Sequence, residues 1–191
     1  MVNVGVLVSG AGTNLQALLD AQADGALAPA KIRVVVSNNP DAPALARATA
    51  AGIPTHVVDH RGLSRPEFED RLIAALGDVD LVVLAGFMRV LTAHFLDRFP
   101  DRVINTHPSL LPAFPGMDAP GQAIAAGVAE SGVTVHFVDT SVDGGPIIAQ
   151  VRVPVLPGDT AATLHARIQA EEHVLLPRVV WELAAQISGV A

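Results

Sequence analysis

The sequence predicts an α/β fold: a doubly wound, mostly parallel sheet that ends in an antiparallel pair of strands near the C-terminus. Three observations predict it. Short apolar runs alternate with stretches of helical spacing through the first half of the chain. The segments between them are rich in Gly, Ser, Asn and Pro. Two later apolar runs flank the turn VDTSVDGGP, which suits a hairpin-like pair.

Each element follows from its local pattern. Val4 to Val8 is an apolar run closed by Ser9 and Gly10, hence a buried strand. Asn14 to Ala23 carries Leu15, Leu18 and Leu19 at helical spacing. Ile32 to Val36 is a second strand, closed by Ser37, Asn38 and Asn39, and the Ala-rich segment from Asp41 to Ala51 is a helix. Thr55 to Val58 is the third strand. Ser64 with Glu67 forms a capping box, opening a helix to about Leu76. Leu81 to Leu84 is the fourth strand, Leu91 to Phe99 a helix, and Val103 to Asn105 a short strand leading into THPSLLP. Pro108 to Gly121 holds four prolines and reads as a loop, because proline lacks the N–H that a helix interior or a central strand needs. A loop of this length in a compact domain is usually functional or mobile. Thr134 to Val138 and Ile147 to Val153 are the closing strands, and Thr160 to about Ala185 is a long helix despite Pro177.

Composition excludes several function classes. The chain has 191 residues, which suits one domain, and 50% of them are hydrophobic against 16% charged, too apolar for disorder. No apolar run approaches the ~18 residues of a membrane span. The start, MVNVGVLVSGAGTN, has no basic n-region, so no secretory signal is expected and the cytoplasm is the expected setting. Without cysteine there is no disulfide scaffold, thiol catalyst or cysteine zinc site. The net charge is −7, and the eleven Arg and single Lys (Lys31) are scattered, which disfavours nucleic acid as a partner.

The first loop, Ser9-Gly10-Ala11-Gly12-Thr13-Asn14, sits between a strand and a helix. Small residues let backbone N–H groups approach an anion, and the helix N-terminus favours negative charge. A dinucleotide fingerprint needs a third Gly or Ala where Leu15 stands, and an acidic residue where Ser37-Asn38-Asn39 closes strand two. No Gly-Lys-Ser/Thr is present either. A phosphomonoester site remains, alongside a plain tight turn with an N-cap.

Asn105-Thr106-His107-Pro108 lies at a strand end, where α/β sites form. His107 can carry a proton near neutrality, and the Asn105 amide can stabilise an oxyanion. Asp143, in the turn SVDGGP, can return a carboxylate to the same end, where it would favour the imidazolium. The three residues suit acyl-type transfer through a tetrahedral intermediate. Asp143 before Gly144 is also ordinary turn chemistry, and a lone histidine is more often structural. His56, His60, His94, His136, His165 and His173 form no compact metal pattern, so no metal is expected. Ser9 and Ser109 lack the frame of a nucleophile elbow. Gly86-Phe87-Met88-Arg89-Val90-Leu91 can line a slot for a flat heterocycle, although loop and core packing is the commoner use of such a pattern.

Together these segments resemble the phosphoribosylglycinamide formyltransferase family, the folate-dependent formyl transferases of purine synthesis. The likeness spans VLVSGAGTNLQALLDA, VVSNNPDAPALARATAAGIPT, VVLAGFMRVL, INTHPSLLPAFPG, GVTVHFVDTSVDGGPIIAQ and ARIQAEEHVLLP. HPSLLP with DGGP marks the wider formyltransferase group; the SGxGTN loop points to the member acting on glycinamide ribonucleotide. The resemblance implies the formyltransferase fold as a single domain over 1–191, with a phosphate-binding half (1–100) and a catalytic and folate half (101–191) sharing the sheet. It implies that Gly12, Thr13 and Asn14 hold the substrate phosphate and that Gln169 and Glu172 contact the ribonucleotide. Asn105, His107 and Asp143 would be catalytic. Arg65, Met88, Arg89, Val90, Leu91 and Asn105, with the loop Asp139, Thr140, Ser141, Val142 and Asp143, would face 10-formyltetrahydrofolate, the co-substrate. Two departures stand out: Met117-Asp118-Ala119-Pro120 replaces a stretch that often contains histidine, and Thr106 replaces a common aliphatic residue.

The implied reaction is direct formyl transfer from the folate N10 to the glycinamide amine. The implied partners are these two small molecules, with no nucleic acid and no membrane, in a monomer or homodimer. Three alternatives remain open. A methionyl-tRNA formyltransferase-like enzyme would carry an additional tRNA-binding domain, for which 191 residues leave no room. A formyltetrahydrofolate hydrolase would use water in place of the amine. A non-catalytic module would bind folate or phosphate without turnover.

Overall fold

Strand and helix alternate along the chain as the hydrophobic pattern predicts. The structure, a computed structural model, describes residues 1–189; Val190 and Ala191, the last two residues of the expected domain, lie outside the described residues. The first half runs β1 (Val2–Val8), α1 (Thr13–Ala23), β2 (Ala30–Ser37), α2 (Pro43–Ala50), β3 (Thr55–Val57), α3 (Arg65–Leu76) and β4 (Leu81–Leu84). The rest is α4 (Ala93–Leu96), β5 (Val103–His107), α5 (Ala119–Ala126), β6 (Glu130–Phe137), β7 (Ile147–Pro154) and α6 (Ala161–Ser188).

The strands form one seven-stranded sheet in the order β3-β2-β1-β4-β5-β6-β7. β1 through β5 pair in parallel, β6 runs antiparallel to β5, and β7 antiparallel to β6. The chain winds outward from β1 to β3 and then returns to β4 on the other side of β1. That reversal opens a crevice beyond the carboxyl ends of β1 and β4, the place where such sheets bind ligands.

Side-chain alternation along the strands feeds two cores. Val2, Val4, Val6 and Val8 of β1 face a cluster completed by Leu15 and Leu18 of α1, Ala44 and Ala48 of α2, Ala123 of α5, and Ile168, Leu175 and Val179 of α6. Leu7, Val34, Val36, Val82 and Leu84 face the opposite cluster, with Phe68 and Leu72 of α3 and Phe95 of α4. Fully burying one such side chain contributes roughly 1.5–3 kcal/mol. The Ser64–Glu67 capping box forms as the sequence predicts.

Two expectations need correction. The helix expected from Leu91 to Phe99 shrinks to Ala93–Leu96. Leu91 is a core residue, Thr92 is the N-cap, and Pro100 disfavours helical geometry at the residue before it. The loop expected to Gly121 ends at Asp118, and α5 begins at Ala119. Pro120 falls in the first turn, where a missing N–H costs nothing, and the Asp118 side chain accepts from the Gly121 N–H at 3.2 Å.

Candidate active site

The first loop leaves β1 and enters α1 through Gly12, whose φ is 74°. A Cβ there would come within 2.5 Å of the Ala44 Cβ, so only glycine lets α2 pack against the loop. The loop is fastened on several sides. Ala44 N–H donates to the Gly10 carbonyl at 3.1 Å, and Arg47 Nε donates to the Ala11 carbonyl at 2.8 Å. Ser9 Oγ donates to Asn38 at 2.6 Å and accepts the Met88 N–H at 2.8 Å, tying this loop to the segment after β4. Thr13 opens α1 and its hydroxyl accepts from Gln169 Nε2 of α6 at 2.9 Å. The Asn14 Oδ1 is buried and has no hydrogen-bond partner among the described residues.

The second group gathers at the carboxyl end of β5. Asn105 and His107 lie two residues apart on the strand and therefore share one face. Asp143 reaches them from the turn between β6 and β7, held at a φ of 53°, an uncommon value for a non-glycine residue. A Cβ at Gly145 would overlap the Phe137 carbonyl, so glycine is what lets the turn fold back this closely. Asp143 Oδ2 stands 3.3 Å from His107 Nδ1, and Asp143 Oδ1 accepts from Asn105 Nδ2 at 3.4 Å. His107 Nε2 donates to the Phe114 carbonyl at 2.8 Å, and the Gly116 N–H donates to Asp143 Oδ2 at 2.8 Å. The proline-rich loop is thus folded down onto the site. Burial pushes the Asp143 carboxyl up, but hydrogen bonds from His136 and Gly116 and the pull of both histidines hold it below the usual carboxylate range. It is an anion at neutral pH, almost enclosed, beside an imidazole that is 6% exposed.

A third group lies beyond α3 and the β4 end. Arg65 and Arg89 line one cleft with His60, Leu63, Phe68 and Val90, two cations around a partly apolar floor. Met88 and Val90 are exposed, whereas Leu91 is buried in the core with Phe68 and Phe95, so it offers a slot little side-chain surface. Glu69 of α3 accepts from the Thr92 N–H at 2.8 Å and from the Thr92 hydroxyl at 2.6 Å, anchoring this segment. Asp139, Thr140, Ser141 and Val142 form an exposed rim leading into Asp143. Hydrogen bonds from the Ser141 hydroxyl and N–H hold the Asp139 carboxyl below its ordinary value.

α6 carries Gln169 and Glu172 three residues apart on one face. Glu172 is buried, and Thr106 Oγ1 donates to its Oε1 at 3.0 Å. Burial pushes the Glu172 carboxyl up, with Thr106 and Asn14 pulling partly the other way.

The structure therefore brings Asn105, His107 and Asp143 together, and sets Gln169 and Glu172 against Thr13 and Thr106. Arg65 and Arg89 meet in a separate cleft. Sequence reasoning missed His136, which faces Asn105 across the β5–β6 register. Its Nδ1 donates to the Phe137 carbonyl at 2.8 Å, and its Nε2 lies 3.3 Å from Asn105 Nδ2 and 3.7 Å from Asp143 Oδ1. The signal was present: Thr134 and His136 are alternate polar residues in an otherwise apolar strand. Among the described residues no group of three or more His, Asp or Glu side chains is placed to hold a metal ion. No helix among them is long and apolar enough to cross a membrane.

The formyl transferase family profile matches residues 2–180. The chain belongs to the formyl transferase family. Among curated members, the phosphoribosylglycinamide formyltransferase of Haemophilus influenzae is 44% identical over 94% of this chain and 86% of that protein. The trifunctional purine biosynthetic protein adenosine-3 of Drosophila melanogaster is 48% identical over 98% of this chain, which spans 14% of that protein's length. Among solved family structures, the phosphoribosylglycinamide formyltransferase of Coxiella burnetii superposes with a TM-score of 0.92 at 46% identity, covering 97% of this chain and 88% of that one. The seven-stranded sheet with its antiparallel closing strands is the formyltransferase fold.

Proposed function

We propose that this protein transfers a formyl group from 10-formyltetrahydrofolate to the amine of 5-phosphoribosylglycinamide in purine biosynthesis. The observation that carries this reading is the convergence of Asn105, His107 and Asp143 at one strand end. The phosphate-type loop ends at the same edge of the sheet, behind β1. The relatives named for this activity add support.

Gly12, Thr13 and Asn14 hold the phosphate through backbone N–H groups and the dipole of α1. Glu172, Gln169 and the unpaired Asn14 Oδ1 receive the donors of the ribonucleotide. The pterin lies along Met88, Arg89, Val90 and the Leu91 backbone, against Asn105 and the Asp139–Asp143 rim. Arg65 meets a negative group of the folate. The residues fit such a ligand: the cleft pairs apolar surface with two guanidinium groups. In this reading residues 1–191 form one formyltransferase domain. Its phosphate half is 1–100, its catalytic half is 101–191, and the folate slot draws on both.

The glycinamide nitrogen forms a bond to the formyl carbon, giving a tetrahedral oxyanion. Asn105 Nδ2 stabilises that oxygen, and His107 does so by exchanging the Phe114 carbonyl for it at Nε2. As the carbon leaves N10, the proton lost by the amine passes to N10, with Asp143 relaying it through water. Asp143 also orients the His107 ring through Nδ1. Holding both substrates by groups remote from the reacting atoms supplies orientation. The partners are these two small molecules rather than nucleic acid or membrane, no metal takes part, the setting is the cytoplasm, and the assembly is a monomer or homodimer.

The test mixes purified protein with glycinamide ribonucleotide and a 10-formyl folate, following folate absorbance with the nucleotide omitted as control. Nucleotide-dependent deformylation is expected. Deformylation without nucleotide makes the protein a formyltetrahydrofolate hydrolase. Binding without turnover makes it a folate- or phosphate-binding module.

A further inference from the structure

β5 alternates its side chains between the two faces of the sheet. Asn105 and His107 point to the catalytic side, while Ile104 packs in the cluster that contains α6. Thr106 shares the Ile104 face, where an apolar residue would complete the packing. It is instead a hydroxyl, 8% exposed, facing the Glu172 carboxylate, itself 4% exposed, at 3.0 Å. A carboxylate accepts only, so the Thr106 hydroxyl donates. Its neighbour along α6, Gln169, donates to Thr13 at the start of the phosphate-type loop.

We infer that Thr106 is a positioning residue: by fixing Glu172, it sets the affinity for the ribonucleotide from within the catalytic strand. This rests on the proposed function, in which Glu172 meets the ribonucleotide. A buried carboxylate on a helix has several rotamers, and one hydrogen bond from a rigid strand selects among them. The same strand carries Asn105 and His107, so the ribonucleotide contact and the catalytic pair move as one body.

The test is Thr106→Val, which keeps the shape and removes the donor, beside Thr106→Ser, which restores it. Steady-state constants are measured for each substrate separately, with direct titration of glycinamide ribonucleotide by calorimetry. Removing a hydrogen bond to a buried charged acceptor should raise the nucleotide KM and Kd about tenfold. The folate KM and kcat should stay within about twofold, and Thr106→Ser should return the nucleotide constants towards wild type. In a Glu172→Ala background the same Thr106→Val change should have little further effect, because the acceptor of the pair is already gone. Unchanged nucleotide constants in Thr106→Val, or a fall in kcat with both KM values unchanged, overturns the inference while leaving the function standing. Additive effects of Thr106→Val and Glu172→Ala overturn it too. A wild-type protein that neither binds nor formylates the nucleotide overturns both.

Discussion

Asp143→Asn separates charge from shape at the centre of the site. The side chain keeps its volume, and its remaining oxygen can still accept the Gly116 N–H now made at 2.8 Å. What goes is the anion 3.3 Å from His107 Nδ1 and 3.7 Å from His136 Nε2. With its oxygen kept on the Gly116 side, the amide faces His107 with a neutral oxygen in place of an anion, and its nitrogen sets a donor against the Asn105 Nδ2 donor on the other side. A fall in kcat of roughly 10² or more is expected, about 2.7 kcal/mol of transition-state stabilisation, within the range for acid–base and oxyanion groups. Because the Asp143 carboxyl is held low, the wild-type protein should lose this contribution only as pH falls below the usual carboxylate range. The assay is nucleotide-dependent deformylation across pH, with urea midpoints confirming that the variant is folded. A folded Asp143→Asn protein within tenfold of wild-type kcat at neutral pH would refute the reasoning.

Gly12→Ala should cost about 2–5 kcal/mol in urea denaturation, from the left-handed backbone at φ 74° and a Cβ 2.5 Å from that of Ala44. A cost under 1 kcal/mol would show that α2 can yield. Because burial pushes the Glu172 carboxyl up, this group protonates at higher pH than an ordinary carboxylate as pH falls. The nucleotide KM should therefore rise on mild acidification in wild type, and Glu172→Gln should lack that limb; a pH-independent wild-type KM would contradict it. Phe95→Ala empties a fully buried position in the core beneath the Arg65–Arg89 cleft and should destabilise by roughly 3–5 kcal/mol, read from urea midpoints at constant m-value.

Much of the fold was legible because buried parallel strands read as near-continuous apolar runs. Val4 to Val8 and Leu81 to Leu84 needed nothing beyond their own residues. α5 was hidden by the prolines before it: counting them weighs Pro120 against a helix, while its position in the first turn makes it compatible with one. α4 failed for the opposite reason, since apolar residues from Leu91 to Phe99 pack into a core cluster without a continuous helix. At the site, Asn105 and His107 were legible from their place after a strand, and Asp143 from its Gly-rich turn. The pairing of Asn105 with His136 depends on strand register, which a single chain does not state. The Phe114 carbonyl and the Gly116 N–H are backbone groups, so no residue identity announces them.

In the proposed function, the phosphate end of the molecule shows how an acidic chain can serve an anionic substrate. With a net charge of −7, the overall field does not draw the substrate in. Arg47, the cation beside the loop, spends its guanidinium on the Ala11 carbonyl and on Gln16 Oε1 at 3.2 Å. Its effect is to stiffen the loop. Recognition then falls to preorganised N–H groups, held by Gly12 against α2, by Ser9 against Met88, and by Thr13 against Gln169. Ser9 links the loop to the folate-side segment, and α6 links it to β5 through Glu172 and Thr106. Displacing any one of these fasteners alters the distance between the two substrates as well as the affinity for one of them. Rate by orientation demands that coupling.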